Sequence, residues 1–216
     1  MRLEIFARFC TGFALALAPE QVAAQQVQRY EVHEDKLFID MDIQYFEDDW
    51  VGDVDRQDHK IVTGLLQKYS SISKVILTGE GGDYLDSLII AHRISSMNLS
   101  TEAHGECLSA CALIFLSGKS RKLRQGAVLG FHRAAVSVED LRQEYESDTA
   151  RSRWVDEFSF AAWLHELGQM DARNFFSFAL MQGVDPEAIE MMLTASKDDM
   201  WRPSKNLLEL YGIVTD

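Results

Sequence analysis

The nine residues KVILTGEGG, at positions 74–82, carry the clearest fold signal in the chain. Residues 74–78 are rich in β-branched and apolar side chains, which predicts a buried strand, and the glycines that follow predict a tight turn. Residues 83–95 then place apolar side chains at helical spacing, with Asp83 as a candidate N-cap. The stretch therefore predicts a strand, a turn and a helix in succession.

The same plan recurs further along the chain. Residues 99–103 predict another strand, residues 109–116 an apolar helix that stops at Gly118, and residues 127–131 a third strand. Strands and helices that alternate at this spacing are typical of βαβ units with a parallel sheet. The sequence therefore predicts an α/β fold.

The flanking segments add a hairpin and several helices. Residues 29–32 and 37–43 alternate around a polar turn and predict the hairpin, and residues 55–69 have helical spacing. The C-terminal part is predicted to be mostly helical over residues 138–181. Two further helices are predicted, one with Pro186 at its first position and a last one that follows a Ser204 cap.

Composition and charge limit the class of protein. The chain has 216 residues, of which 47% are hydrophobic and 25% charged, as in an ordinary globular protein. Its net charge of −13 argues against a nucleic-acid partner, since such binders need a clustered basic face. No linker-like segment divides the chain, so we predict a single domain over residues 25–216.

The N-terminus predicts export. Arg2 and Arg8 precede a short apolar stretch, and the small residues Val22 and Ala24 fit a cleavage site after position 24. We therefore expect a signal peptide over residues 1–24 and a periplasmic or secreted mature protein. No run of about 20 apolar residues predicts a transmembrane span.

Ser109 is the candidate nucleophile. It stands at the start of the apolar helix, where a serine is also a favoured N-cap, so its position alone supports either role. A helix N-terminus presents N–H groups and the positive end of the dipole, which suits a hydroxyl whose attack creates an oxyanion.

Two further features favour the nucleophile. His132 directly follows the strand over residues 127–131, and a histidine can accept the proton of a serine hydroxyl. Neighbouring parallel strands bring their ends together, so Ser109 and His132 are expected to be close. Gly81 and Gly82 form a turn that can present N–H groups to a developing negative charge.

The order of these features resembles the Clp protease proteolytic subunit and its relatives of the ClpP/crotonase fold. Within that superfamily the chain is most similar to exported bacterial Clp-like proteins with a Cys-x-Ser-Ala-Cys motif, here residues 107–111. The resemblance implies stacked ββα units. It also implies Ser109 as nucleophile, His132 as base, Gly82 and Ala110 as the oxyanion hole, and Asp199 (or Asp198) as the orienting acid.

The resemblance and the predicted export together imply a function. We expect an ATP-independent serine peptidase that acts on peptides or unfolded segments, because export separates the chain from cytosolic ATPase partners. Clp-like proteins form rings, so a homo-oligomer is expected, and no cofactor is implied. Two alternatives are an inactive binding or assembly protein and a crotonase-type enzyme acting on an acyl thioester. A Ser–Lys pair ranks low, because Lys119 and Lys122 follow Ser109 too closely.

Departures from the Clp pattern lie beside the glycine turn. Glu80 stands where Clp peptidases usually have proline, and Asp83 follows the two glycines. A carboxylate near an oxyanion hole opposes the charge that the hole must stabilise, unless the side chain points away. These residues favour the inactive alternative.

Cys107 and Cys111 flank Ser109 and are the only cysteines after residue 24. An oxidising compartment favours a disulfide between them, and Cα atoms four residues apart permit one; two buried thiols are the alternative. A zinc site that uses them with His104 lacks an evident fourth ligand, so we predict no metal.

The remaining polar and aromatic features are given structural roles. The basic residues at 121, 122 and 124 predict a solvated loop, and the other histidines are expected to be at the surface or hydrogen-bonded. The aromatic residues between 154 and 178 are expected in the core or at a subunit interface.

Overall fold

The computed structural model of the chain describes residues 28–43, 53–54, 57–147 and 153–216. The predicted signal peptide lies outside these residues, as does the start of the helix predicted over 55–69. The strands in this part of the chain are β1 (Tyr30–His33), β2 (Lys36–Asp40), β3 (Asp53–Val54), β4 (Lys74–Gly79), β5 (Gly81–Gly82), β6 (Ser100–Leu108), β7 (Arg121–Leu123) and β8 (Val128–Gly130). The helices are α1 (Asp58–Lys68), α2 (Tyr84–Ser96), α3 (Ala110–Leu116), α4 (Val138–Glu146), α5 (Glu157–Met181), α6 (Pro186–Thr194) and α7 (Lys205–Leu210).

The main sheet is mostly parallel. Its strand order is β1-β2-β4-β6-β7, with β8 also paired to β6. β1 and β2 form the predicted antiparallel hairpin, and every other pair in this sheet is parallel. The short strands β3 and β5 pair separately, also in parallel. The prediction of an α/β fold with a parallel sheet is confirmed.

β6 is longer than the sequence predicts and meets three other strands. Its first half pairs with β7, and its second half pairs with β8, in a register that places Leu108 opposite Gly130. The predicted strand ended at residue 103 because His104, Gly105 and Glu106 interrupt the apolar pattern. Because of this extension, β6 ends beside the end of β8, and the turn into α3 begins there.

α3 is the most deeply buried helix of the described fold. All seven of its side chains are buried, none more than 6% exposed. The helix packs against α2, β6 and the glycine strand β5. Burial of a leucine, isoleucine or phenylalanine side chain contributes roughly 1.5–3 kcal/mol, so the four large residues Leu113–Leu116 anchor the helix firmly.

The prediction of a solvated basic loop at residues 121, 122 and 124 is wrong for Arg121, whereas Lys122 and Arg124 are exposed as expected. Arg121 lies in β7 and is only 3% exposed. Its guanidinium donates hydrogen bonds to four backbone carbonyls, those of Leu116, Gly118, Gly212 and Ile213. Because a guanidinium carries donors in several directions, one side chain joins the end of α3 to the C-terminal residues.

Several helix boundaries follow from capping residues that the sequence identifies. Asp83 caps α2, because its carboxylate accepts the Asp86 N–H. Asp185 caps α6, with Pro186 in the first turn. Ser204 does stand at the N-cap of α7, but its side chain makes no capping hydrogen bond. Across the described ranges, no helix combines the length and apolarity needed to cross a membrane.

Removal of the buried guanidinium should destabilise the fold. Arg121→Ala leaves four carbonyl oxygens without their donor in a buried region, so we expect the free energy of unfolding to fall by roughly 2–4 kcal/mol. Urea denaturation followed by circular dichroism measures this change. Lys122→Ala is the matched control. The Lys122 side chain is exposed, so its removal should lower the free energy of unfolding by less than about 0.5 kcal/mol. Equal losses in the two variants would contradict this role of Arg121.

Candidate active site

Ser109 occupies a strained turn between β6 and α3. Its backbone has φ 53° and ψ −118°, a conformation that a non-glycine residue rarely adopts. Its N–H donates to the Gly130 carbonyl, and its carbonyl accepts from Leu113, which fixes the turn on both sides. The hydroxyl makes no capping bond to α3. The simple capping explanation for Ser109 is therefore wrong, and strain of this kind is typical of functional positions.

The hydroxyl of Ser109 instead contacts His132. The distance from His132 Nε2 to Ser109 Oγ is 2.7 Å. The β6–β8 register produces this contact, because it aligns the two strand ends from which Ser109 and His132 extend. Both side chains are half-buried, so the pair is still open to the surrounding groove. The expected proximity of Ser109 and His132 is present in the structure.

The other nitrogen of the His132 ring faces a backbone carbonyl. Nδ1 lies 2.6 Å from the Arg133 oxygen. A carbonyl can only accept, so this hydrogen bond requires the proton on Nδ1. In the neutral ring the lone pair is then on Nε2, directed at the Ser109 hydroxyl. The backbone thus selects the tautomer that a general base needs.

Arg133 is itself held in place by the start of the α6–α7 connection. Its N–H donates to the Ala195 carbonyl, and its guanidinium donates to the Thr194 carbonyl. One residue before His132, Phe131 pairs with Trp201 in an antiparallel bridge. The backbone on both sides of His132 is therefore anchored to the same C-terminal segment. Sequence reasoning missed Arg133, since an exposed arginine after a strand carries no distinctive signal.

The structure does not bring the predicted orienting acid to His132. Asp199 contacts Ser196 through its backbone N–H. The Asp198 carboxylate pairs with Lys197 at 3.1 Å. Neither carboxylate is hydrogen-bonded to His132, whose Nδ1 faces the Arg133 carbonyl instead. The roles proposed for Asp199 and Asp198 remain predictions.

The glycine turn lies directly against Ser109. A Cβ atom on Gly81 would be 2.7 Å from the Ser109 Cβ and 2.9 Å from the Ala110 nitrogen. Gly81 and Gly82 also have φ values of 129° and 125°, which disfavour any side chain. Gly82 and Ala110, the predicted oxyanion-hole residues, line the same cavity as Ser109 and His132. The backbone can approach the nucleophile this closely only because Gly81 has no side chain.

The two acidic residues beside this turn differ in their surroundings. The Asp83 carboxylate accepts the Asp86 N–H at 2.8 Å and thereby serves the N-terminus of α2. A capping carboxylate is stabilised by the helix it caps, so its charge is partly balanced locally. The Glu80 side chain is exposed to solvent, which screens its charge. Because of this capping bond, the Asp83 carboxylate opposes a nearby oxyanion less than an uncapped carboxylate would.

A disulfide joins Cys107 and Cys111 across the Ser109 turn. The two Cα atoms are 5.1 Å apart, and neither residue has exposed surface. Cys107 is in β6, opposite Gly79 of β4, and Cys111 is in the first turn of α3. The disulfide alternative is confirmed, and the bond closes the loop that contains the candidate nucleophile.

The Ser109–His132 pair opens into a large groove. The cavity has a volume of about 1310 Å³ and is bounded by the glycine turn, the start of α3, residues 131–137 and one face of α5. Its size is sufficient for a peptide or a comparably large ligand. Within the residues the structure describes, no group of three or more His, Cys, Asp or Glu side chains is arranged to hold a metal ion.

The remaining histidines have ordinary partners. His59 Nδ1 lies 2.7 Å from the buried Asp86 carboxylate, His165 contacts Gln169, and His33 contacts Glu31. His92 packs edge-on against Phe178. The expectation that such histidines are at the surface or satisfied agrees with these contacts. No protein-family model and no curated protein matches the chain.

Gly81→Ala should disrupt the site. The added Cβ overlaps Ser109 and Ala110, and the φ value adds strain, so we expect a loss of at least about 2 kcal/mol in the free energy of unfolding. Gly64→Ala in α1 is the matched control, because a Cβ there meets nothing within 4 Å. A helix-interior alanine is expected to stabilise by about 0.5–1 kcal/mol. Both changes are measured by urea denaturation. If the two variants shift the free energy of unfolding in the same direction, Gly81 does not lie against Ser109 in solution.

Reduction of the disulfide should destabilise the protein. A cross-link that closes such a short loop is expected to contribute about 2 kcal/mol by restricting the unfolded chain. Urea denaturation with and without a phosphine reductant measures the difference. The Cys107→Ala/Cys111→Ala double variant should not respond to the reductant. If the wild type is equally unresponsive, the bond is absent in solution.

Proposed function

We propose that this protein is a serine hydrolase of the Clp type that cleaves peptides or unfolded segments without ATP. The observation that carries this proposal is the 2.7 Å contact between His132 Nε2 and the hydroxyl of Ser109 on a strained strand-to-helix turn. A serine in this backbone conformation, paired with a histidine of the required tautomer, matches what nucleophilic catalysis needs.

The proposed reaction begins with proton transfer from Ser109 to His132. The Ser109 oxygen forms a bond to the carbonyl carbon of the substrate while Nε2 takes the hydroxyl proton. The N–H groups of Ala110 and Gly82 would stabilise the resulting oxyanion, since both residues line the cavity at Ser109. His132 returns the proton to the leaving amine as the C–N bond breaks. Water then hydrolyses the acyl-enzyme with the same histidine as base.

The Ser–His contact favours a hydrolase over crotonase-type chemistry. Stabilising the enolate of an acyl thioester requires an oxyanion hole but no nucleophilic serine. A strained serine aligned with a histidine has no function in that reaction, whereas a hydrolase requires both groups. The remaining alternative is a protein that keeps the fold but only binds or assembles, and the labelling experiment below separates it from the hydrolase.

The fold family, compartment and assembly are part of the same proposal. The successive units β4-turn-α2 and β6-turn-α3 support a ClpP/crotonase-like arrangement. The Cys107–Cys111 disulfide supports an oxidising location such as the periplasm. The exposed apolar side chains of Phe176, Leu180 and Met181 on α5 support a homo-oligomer, because such surface is commonly buried between subunits.

A fluorophosphonate probe tests the proposed nucleophile. We expect the wild type to be labelled at a single site, identified by peptide mass spectrometry as Ser109. Ser109→Ala should abolish labelling, and His132→Ala should slow it at least about 1,000-fold because the base is lost. Ser137→Ala is the control, since this serine lines the same cavity but has no histidine partner. A folded wild-type protein that is not labelled would contradict the hydrolase and favour the binding alternative.

The same assay distinguishes the two candidates for orienting His132. With the Arg133 carbonyl as the orienting group, Asp198→Asn and Asp199→Asn should each leave the labelling rate within about 3-fold of wild type. A catalytic carboxylate would instead produce a loss of the order of 10,000-fold on conversion to asparagine. A large loss in either variant would identify that residue as the acid.

A further inference from the structure

The groove that holds Ser109 extends to an acidic side chain on α5. Asp171 lines the same cavity as Ser109 and His132. The other α5 residues that line it recur at helical spacing on one face: Leu164, Gly168, Ala172 and Phe175. The part of the groove wall that α5 supplies is therefore largely apolar, and Asp171 is the carboxylate among these lining residues.

Asp171 is fixed close to the glycine turn. The Tyr84 hydroxyl donates to the Asp171 backbone carbonyl at 3.0 Å. Tyr84 is the second residue after Gly82, and Gly81 directly contacts Ser109. One tyrosine side chain thus spans the distance from the candidate oxyanion turn to Asp171. This contact ties the backbone of α5 at Asp171 to the residue that lies two positions after Gly82.

Among the residues that the structure describes, none balances the charge of the Asp171 carboxylate. Its side chain is half-buried, and burial raises the pKa of the carboxyl above its usual value. In the part of the chain that is described, it forms no ion pair and accepts no hydrogen bond. A carboxylate in apolar surroundings binds a cation more strongly than a solvated one, because water competes less.

The cationic side chains of the groove are each engaged elsewhere. Arg133 donates to the carbonyls of Thr194 and Ala195, Lys197 pairs with Asp198, and Arg202 pairs with Glu106. None of these contacts involves α5. The groove also carries further carboxylates, at residues 80, 83, 139 and 140, so its overall charge is negative. These three side chains therefore do not compete with a cationic group of a ligand for the Asp171 carboxylate.

From this arrangement we infer that the groove selects substrates with a lysine or arginine side chain, whose cationic end pairs with Asp171 while the adjacent carbonyl lies at Ser109. The inference rests on the proposed function and names its substrate class. The apolar wall accommodates the methylene stem, and the carboxylate binds the charged end. Asp171 is thereby a specificity-determining residue, outside the catalytic pair.

Ligand binding to an inactive variant tests the inference without requiring turnover. Two short peptides are compared by isothermal titration calorimetry on the Ser109→Ala protein, identical except for lysine or norleucine at one position. Both side chains have the same four-carbon stem, so only the charge differs. We expect the lysine peptide to bind at least about 10-fold more tightly.

Two matched charge variants and one variant that narrows the groove assign this preference to Asp171. Asp171→Asn, added to Ser109→Ala, should remove the preference because it keeps the shape and removes the charge. Glu166→Gln is the control for a charge change on the same helix, since Glu166 is exposed and outside the cavity. Gly168→Leu should weaken both peptides, because Gly168 lines the cavity and a larger side chain there would take up part of its volume.

The outcomes separate this inference from the proposed function. Equal affinity of the two peptides, failure of both to bind, or a lysine preference that persists in Asp171→Asn would each overturn the inference. Fluorophosphonate labelling of wild-type Ser109 would still support the hydrolase in those cases. Conversely, a lysine preference without labelling would retain the cation-binding role of Asp171 and reject the hydrolase.

Discussion

The turn at Ser109 is the constraint on which the site depends. A non-glycine residue in such a backbone conformation costs about 1–3 kcal/mol. The helix that follows buries four large apolar side chains, each contributing roughly 1.5–3 kcal/mol, so its packing exceeds the strain several-fold. The hydrogen bond from Ser109 to Gly130 adds the second anchor. The turn cannot relax without displacing α3 from its packed position. The Ser109 hydroxyl therefore stays directed at His132 and away from the N-terminus of α3.

The close packing around this turn explains why small residues and a disulfide occur there together. Gly81 leaves room for Ser109, and Cys107 is paired with Gly79 at the end of β4. The bond to Cys111 then links the end of β6 to the first turn of α3. The glycine turn, the end of β6 and the start of α3 are thereby coupled. A displacement of one of these backbones would move the candidate oxyanion hole and the nucleophile together.

Much of the fold and the Ser–His pair follow from the sequence, because their signals are local. Apolar runs and caps mark β4, α2 and α3, and the order of parallel strands brings Ser109 near His132. The length of β6 was hidden by its polar middle, and Arg121 resembled a surface residue until β7 and the C-terminus enclosed it. Asp171 has no such signal, because its place in the groove depends on how α5 packs beside Tyr84.

The Arg133 carbonyl changes what the third member of the site must provide. In a Ser-His-Asp triad, the large loss on conversion of the aspartate to asparagine is attributed to the wrong histidine tautomer. The Arg133 carbonyl already selects the correct tautomer, since it can only accept from Nδ1. A neutral carbonyl stabilises a positive imidazolium less than a carboxylate does. Compared with such a triad, the Ser109–His132 pair keeps the orientation of the histidine and receives less charge stabilisation from its third group.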